Sequence, residues 1–197
     1  WQRLLLVLAI IVAALLLLGV LRSGALAGPP EFHGTAYDPP ATAADFTLTS
    51  HEGQETSLAD FRGQPVLLFF GYTHCPDICP TTLSALRRAL DEAGPAGTEA
   101  RVLLVTVDPA RDRPEVLANY VRNFGPRVVG LTGPPAQIRR LFGAYGVYAE
   151  PEHEHGSLIG HTSAVFGIDR DGLIRVLLRP DAPPAELHED VATLLAL

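Results

Sequence analysis

The chain has 197 residues, which is enough for one domain of ordinary size with a tail but not for two well-filled cores. Its formal net charge of -7 and its lack of a basic cluster argue against nucleic acid as a partner, because binding to phosphates needs clustered cations. Methionine is absent, which excludes a methionine-rich metal-binding tract. We therefore expect one globular domain without a nucleic-acid interface.

Residues 1–27 are predicted to be an N-terminal transmembrane anchor. Residues 4–21 carry no charged or polar side chain and lie between Arg3 and Arg22. About twenty apolar residues form a helix that crosses a bilayer. A cleaved secretory signal is the alternative, because residues 25–27, Ala-Leu-Ala, resemble a signal peptidase site. Both interpretations place the domain outside the cytoplasm, on the periplasmic or an equivalent side of the membrane.

Residues 28–44 are predicted to be a proline-rich spacer between the anchor and the domain. Their prolines and their weak apolar periodicity favour a semi-extended chain. The domain is expected to occupy residues 45–197. It opens with Asp45–Thr49, where polar and apolar side chains alternate as in a half-buried strand. Turn-forming residues follow at 51–54, so a small hairpin is expected there.

A βαβ unit is predicted at the centre of the domain. Pro65–Phe70 is a continuous apolar run that ends at Gly71, which is typical of a strand buried on both faces. A helical pattern begins at Pro80 and continues to about Ala93, and a second buried strand follows at Arg101–Val107. Two parallel strands joined by a helix form a right-handed crossover.

The second half of the domain is expected to add helices and a hairpin to this unit. Helices are predicted at 114–124 and 134–145, with a short strand at 128–131 between them. The sequence Asp-Arg-Asp-Gly at 169–172 separates two apolar runs and predicts a hairpin. Residues 185–197 are predicted to form an amphipathic helix. This order of elements is thioredoxin-like, so we predict an α/β fold with a central mixed sheet flanked by helices.

The chain contains two cysteines, Cys75 and Cys79, and both follow the first buried strand and precede its helix. Open α/β sheets bind ligands at such carboxyl ends of strands. Each cysteine precedes a proline, which favours extended backbone, so we expect a tight loop in which the two thiols converge. Cys79 is expected near the helix N-terminus, where the helix dipole favours the thiolate over the thiol.

Three kinds of chemistry fit a converging dithiol in an exported domain. A structural disulfide is one, although a bridge that closes so short a loop constrains the unfolded chain little. Redox catalysis by thiol-disulfide exchange is the second. Metal binding by soft thiolates is the third, and it needs further ligands. The residues alone leave these three open.

The segment Gly71–Pro80 reads Gly-Tyr-Thr-His-Cys-Pro-Asp-Ile-Cys-Pro and resembles the pattern of the Sco/SenC family, the copper-delivery proteins of cytochrome c oxidase assembly. The resemblance continues at residues 107–114, 129–133 and Gly160–Ser163. It covers the chain from about Asp45 to the C-terminus, and the single N-terminal span is similar too. The chain therefore looks like a member of this family.

The resemblance to this family implies that Cys75, Cys79 and His161 bind copper. Two thiolates and one imidazole form a soft, low-coordinate site that suits Cu(I) and also accepts Cu(II) with an added ligand. The implied function is that of a non-enzymatic copper chaperone, which delivers copper to the copper-bearing subunit of cytochrome c oxidase or prepares the site there. Another periplasmic copper chaperone or a thiol reductant is a further expected partner.

A thiol-disulfide oxidoreductase of the thioredoxin-like superfamily is the alternative function. In such enzymes two residues separate the active cysteines, which face a cis-proline ahead of a later strand. Here three residues separate Cys75 from Cys79, and Gly160 and His161 stand before the corresponding strand in place of a proline. This contrast favours metal binding over dithiol catalysis.

Other polar residues near the motifs are expected to support the site without binding the metal. His74 is interpreted as structural, since its side chain points away from its neighbour Cys75 in extended backbone. Asp77 is expected to cap the loop through its own backbone, and Asp108 to form hydrogen bonds near the site. A further pair, His153 and His155, is expected in a solvated loop, with a transient second copper site as the alternative.

Overall fold

A computed structural model of the chain describes residues 1–22, 30–149, 163–179 and 181–197. It contains two compact units, Trp1–Pro30 and Glu31–Leu197. Three histidines named in the sequence analysis lie outside the described residues: His153, His155 and His161. The structure therefore describes the two cysteines of the expected copper site but not its histidine.

The first unit contains helix α1, Gln2–Arg22. Large apolar side chains in its first half, such as those of Leu4 and Ile10, are exposed. Within the described residues, no helix is both long and apolar enough to cross a membrane. The side chains of residue 9 and of residues 15–22 lie outside that description. The structure thus does not show the predicted transmembrane helix, and the anchor stays a prediction.

One mixed sheet forms the centre of the second unit. Its described strands are β1 (Thr35–Thr42), β2 (Thr47–Ser50), β3 (Glu55–Ser57), β4 (Val66–Gly71), β5 (Arg101–Thr106), β6 (Val128–Thr132), β7 (Val165–Ile168) and β8 (Leu173–Leu178). They are arranged in the order β1-β8-β7-β4-β5-β6-β2-β3. Strands β4, β5 and β6 pair in parallel, and the other described pairs are antiparallel. The sheet therefore has the mixed α/β character that the sequence predicted.

The two central parallel strands end at the same edge of the sheet. Every residue of β4 is buried, as expected for a strand covered on both faces. The register of β4 and β5 places Gly71 beside Thr106, the last residue of each strand. The loops that follow the two strands therefore start side by side, at the position where α/β sheets bind ligands.

Helices cover both faces of this sheet. They are α2 (Ile78–Glu92), α3 (Pro95–Glu99), α4 (Pro114–Val121), α5 (Pro135–Tyr145) and α6 (Pro184–Leu195). On one face, the ring of Phe70 in β4 packs against Phe142 and Tyr145 of α5, with centroid separations of 6.1 and 5.5 Å. The neighbouring Gly71 faces the other way. A methyl group placed on it would lie 3.0 Å from the Cys79 sulfur of α2.

Hydrogen bonds to α6 hold the residues just before β1. The buried carboxylate of Asp190 accepts hydrogen bonds from the backbone N–H groups of His33, at 2.6 Å, and Gly34, at 2.9 Å. Strand β1 follows and pairs with β8, with an irregular register between Ala36 and Ala41. Residues 28–44, expected to be a spacer, thus contribute an edge strand, because an edge position tolerates prolines that cannot donate to a ladder.

We expect Asp190→Ala to lower the free energy of unfolding by about 3 kcal/mol, because two backbone N–H groups lose a charged acceptor. Chemical denaturation of the reduced protein measures this change. Asp181→Ala, at an exposed aspartate shortly before the same helix, is the control and is expected to change little. A loss below about 1 kcal/mol in Asp190→Ala would show that these hydrogen bonds do not hold the strand.

Candidate functional site

The structure brings the two cysteines together where β4 leads into α2. The backbone N–H of Cys75 donates to the carbonyl of Tyr72 at 3.3 Å, which closes a turn after the strand. Cys79 lies in the first turn of α2, and its backbone N–H donates to the sulfur of Cys75 at 3.3 Å. Both cysteines are buried, and neither forms a disulfide within the described chain. The loop therefore presents a preformed dithiol.

Helix α2 begins at Ile78, two residues earlier than the sequence predicted. Pro80 occupies the third helical position instead of the first, where its missing N–H is still one of the four that lack an intrahelical partner. Asp77 precedes the helix, but its carboxylate does not bond its own backbone as expected. It accepts a hydrogen bond from the hydroxyl of Thr81 at 3.3 Å. The Thr81 side chain, in the first turn of the helix, thus provides a hydrogen-bond donor for the Asp77 carboxylate.

Burial determines the protonation of Cys79. Desolvation raises the pKa of its thiol far above the ordinary value, and the neighbouring Cys75 raises it further, against the lowering effect of a hydrogen bond with the backbone of Tyr72. The expectation that the helix N-terminus favours the thiolate is therefore wrong for the metal-free protein. Burial of the side chain opposes the ionisation that a helix N-terminus favours. The Cys79 thiol keeps its proton until a cation replaces it.

One buried carboxylate joins the cysteine loop to the sheet. Asp112 accepts hydrogen bonds from the backbone N–H of Thr73 at 3.0 Å and from its hydroxyl at 2.5 Å. It also accepts one from the hydroxyl of Thr106, the last residue of β5, at 2.6 Å. Its side chain is 0% exposed. Because Thr73 lies two residues before Cys75, this carboxylate fixes the position of the loop.

Asp108 and His74 lie next to this carboxylate. The backbone N–H of Asp108 donates to the hydroxyl of Thr106 at 2.9 Å, and its carboxylate forms an ion pair with Arg111. Asp108 thus forms the hydrogen bonds that the sequence predicted. The exposed His74 has Nδ1 3.0 Å from the Thr73 hydroxyl. The imidazole therefore contributes to the polar network instead of the dithiol.

This polar cluster has the spacing of a cation site but not the free lone pairs of one. Ligand atoms of His74, Asp108 and Asp112 lie within 4.8 Å of one another. Asp112 already accepts three hydrogen bonds, and Asp108 faces the guanidinium of Arg111. We therefore assign the cluster a positioning role. The sequence analysis missed Asp112, although its place just after a second parallel strand was a usable signal.

Comparison with known proteins identifies the family of the chain. Residues 34–196 match SCO1/SenC. The chain belongs to the SCO1/SenC family. Protein SCO2 homolog, mitochondrial, from Bos taurus is 44% identical over 134 residues, which cover 66% of this chain and 50% of that protein. The chain therefore spans about half the length of the curated relatives that it matches.

Solved structures of the family share the fold. ScoI of Bradyrhizobium japonicum, solved with copper bound, is 34% identical, has a TM-score of 0.70, and is matched over 78% of this chain and 99% of that chain. Apo Sco1 of Thermus thermophilus, solved in solution, is 38% identical with a TM-score of 0.71, over 84% and 96%. These similarities confirm the predicted α/β fold with a central sheet flanked by helices.

We expect Gly71→Ala to lower the free energy of unfolding by about 2 kcal/mol, because the core beneath the dithiol has no space for a methyl group. The added carbon would lie 2.9 Å from Phe69, 3.0 Å from the Cys79 sulfur and 3.1 Å from Leu104. Urea denaturation of the reduced protein measures the loss.

Gly143→Ala in α5 is the matched control. An added methyl group there meets nothing within 4 Å, so the higher helix propensity of alanine should stabilise the protein by up to about 1 kcal/mol. The two glycine substitutions thus have opposite expected signs. Equal effects would mean that the space beside Cys79 is not tightly packed.

Proposed function

We propose that this protein is a copper chaperone that binds one copper ion through Cys75, Cys79 and His161. Its recipient is the copper-bearing subunit of cytochrome c oxidase, to which it delivers copper or whose site it prepares. The observation that best supports this proposal is the buried, converging dithiol at the carboxyl end of a parallel strand, in a chain of the SCO1/SenC family. The copper-bound state of the Bradyrhizobium relative supports the choice of metal.

The donor set suits copper because two thiolates are soft ligands. In the metal-free protein burial keeps Cys79 protonated, and a bound cation supplies the charge that makes its thiolate stable there. His161 is the proposed third ligand, as a neutral imidazole. Such a low-coordinate set leaves room for a ligand from a partner, so copper is transferred without release into solution. Cu(II) is accepted with one added ligand.

The sulfurs are held in place before the metal arrives. The hydrogen bonds between Asp112 and Thr73 fix one end of the cysteine loop, and the first turn of α2 fixes the other. Ligands that are already ordered lose little conformational freedom on binding, so more of the interaction energy is retained as affinity. The described half of the site is therefore suited to retaining the ion.

General disulfide exchange is the weaker alternative. Three residues separate the cysteines, and the raised pKa of the Cys79 thiol leaves little thiolate to attack a disulfide. We therefore propose that the protein is not primarily an enzyme. Specific thiol reduction of the oxidase copper site is compatible with the same dithiol, and a thiol reductant or a second copper chaperone is a proposed further partner.

We also propose that residues 1–27 anchor the protein in a membrane, with the domain on the periplasmic or an equivalent side. The uncharged apolar run at residues 4–21 supports this proposal. Residues 28–44 are the proposed connection between this anchor and the copper-binding domain at residues 45–197, and their strand β1 also joins the sheet of that domain. The mitochondrial name of the bovine relative is consistent with a domain outside the cytoplasm.

The reduced protein is expected to bind one Cu(I) ion under anaerobic conditions. Cys75→Ser, Cys79→Ser and His161→Ala are each expected to lower the Cu(I) affinity at least about 100-fold, because each removes a ligand. Competition with a chromogenic Cu(I) chelator measures the affinity. His33→Ala is the control, since that exposed imidazole pairs with Glu189 of α6. Unchanged affinity in Cys75→Ser would contradict the proposal, and unchanged affinity in His161→Ala would contradict the third ligand.

A further inference from the structure

Tyr120 carries a buried hydroxyl that forms no hydrogen bond within the part of the chain that the structure describes. Buried polar groups in folded proteins are nearly always paired. An unpaired one costs about 1–3 kcal/mol of stability, because it has lost its water without gaining a partner. A functional state in which the hydroxyl gains a partner would account for its retention in the interior.

The position of Tyr120 relates this hydroxyl to the dithiol. Tyr120 lies in α4. Leu117 and Val121 of that helix pack over Gly130 of β6, where each would lie 3.1 Å from an added methyl group. The Tyr120 ring packs on Phe124, with centroids 5.2 Å apart. Phe124 lies in the short 3-10 turn Arg122–Phe124, which contacts α2. The tyrosine thus packs on a turn that contacts α2, the helix that carries Cys79 in its first turn.

The surroundings of the Tyr120 hydroxyl favour its neutral form. Burial raises the pKa of Tyr120, and the charges of Cys79, Cys75 and Asp112 raise it further. Those three residues are the dithiol and the carboxylate that holds its loop. The phenol therefore stays protonated and remains a hydrogen-bond donor. It lies within the field of the atoms that become negative when the dithiol binds a cation.

We propose that the Tyr120 hydroxyl donates a hydrogen bond to the sulfur of Cys79 when that sulfur binds copper. A thiol sulfur is a weak acceptor, whereas an ionised acceptor forms a hydrogen bond about twice as strong as a neutral one. The hydroxyl therefore gains a partner in the loaded state that it lacks in the metal-free state. Groups that hydrogen-bond to ligands tune a metal site and its affinity. This inference rests on the proposed function, since it needs copper at the dithiol.

Tyr120→Phe tests the proposal because it removes only the hydroxyl. In the reduced, metal-free protein its free energy of unfolding should be unchanged or higher than that of wild type, since an unpaired buried group is lost. Its Cu(I) affinity should be about 10-fold lower, since the outer hydrogen bond to the ligand is lost. The sulfur-to-copper charge-transfer band of the Cu(II) form should shift in the same variant.

Tyr145→Phe is the matched control on the opposite face of the sheet. The Tyr145 hydroxyl already donates to the carbonyl of Ala44 at 2.7 Å. Its removal should therefore destabilise the metal-free protein by about 1 kcal/mol and leave the Cu(I) affinity and the Cu(II) spectrum unchanged. The two Tyr→Phe variants are expected to give opposite patterns in the two measurements.

The outcomes of this comparison separate failure of the Tyr120 hydrogen bond from failure of the proposed copper binding. If wild type binds copper and Tyr120→Phe has the same affinity and spectrum, the hydrogen bond is absent and the inference is overturned. A loss of metal-free stability in Tyr120→Phe as large as that in Tyr145→Phe would also overturn it, because the hydroxyl would then be paired without copper. If wild type binds no copper, the proposed function itself fails.

Discussion

The hydrogen bonds between the Asp112 carboxylate and Thr73 are the constraint on which the candidate site depends. Thr73 leads directly into the cysteine loop, and Asp112 also holds Thr106 at the end of β5. The carboxylate is fully buried and accepts hydrogen bonds from the backbone N–H and hydroxyl of Thr73 and from the hydroxyl of Thr106. It cannot move without leaving these donors unpaired. The cysteine loop is therefore fixed relative to the sheet, and the dithiol is preformed.

Burial has two consequences for this dithiol. It raises the pKa of the Cys79 thiol, so this sulfur is a weak nucleophile in the metal-free protein. It also makes an isolated negative charge costly there, so a cation that compensates the charge is strongly favoured. Burial also leaves the hydroxyl of Tyr120 without a hydrogen-bond partner within the described residues. A polar group that is unpaired in one state stabilises the other state when it gains its partner.

Local sequence patterns predicted the strands and helices whose form depends on consecutive residues. The uninterrupted apolar run predicted β4, whereas the proline after Cys79 wrongly indicated extended backbone for a residue that lies in the first turn of α2. Strand β1 was not predicted, because its pairing with the distant β8 overrides its prolines. The burial of Cys79 and the hydrogen bonds of Asp112 depend on tertiary contacts, which residue spacing along the chain does not reveal. The expectation that Cys79 is a thiolate was wrong because it did not include the burial of that side chain.

In the proposed function, both cysteine sulfurs bind the copper ion. Copper K-edge X-ray absorption of the reduced, Cu(I)-loaded protein tests it most directly, because the scattering distinguishes sulfur from nitrogen neighbours. We expect two sulfur ligands and one imidazole nitrogen on each copper ion, in a protein that retains one ion after gel filtration. A spectrum with one sulfur ligand or none would contradict it.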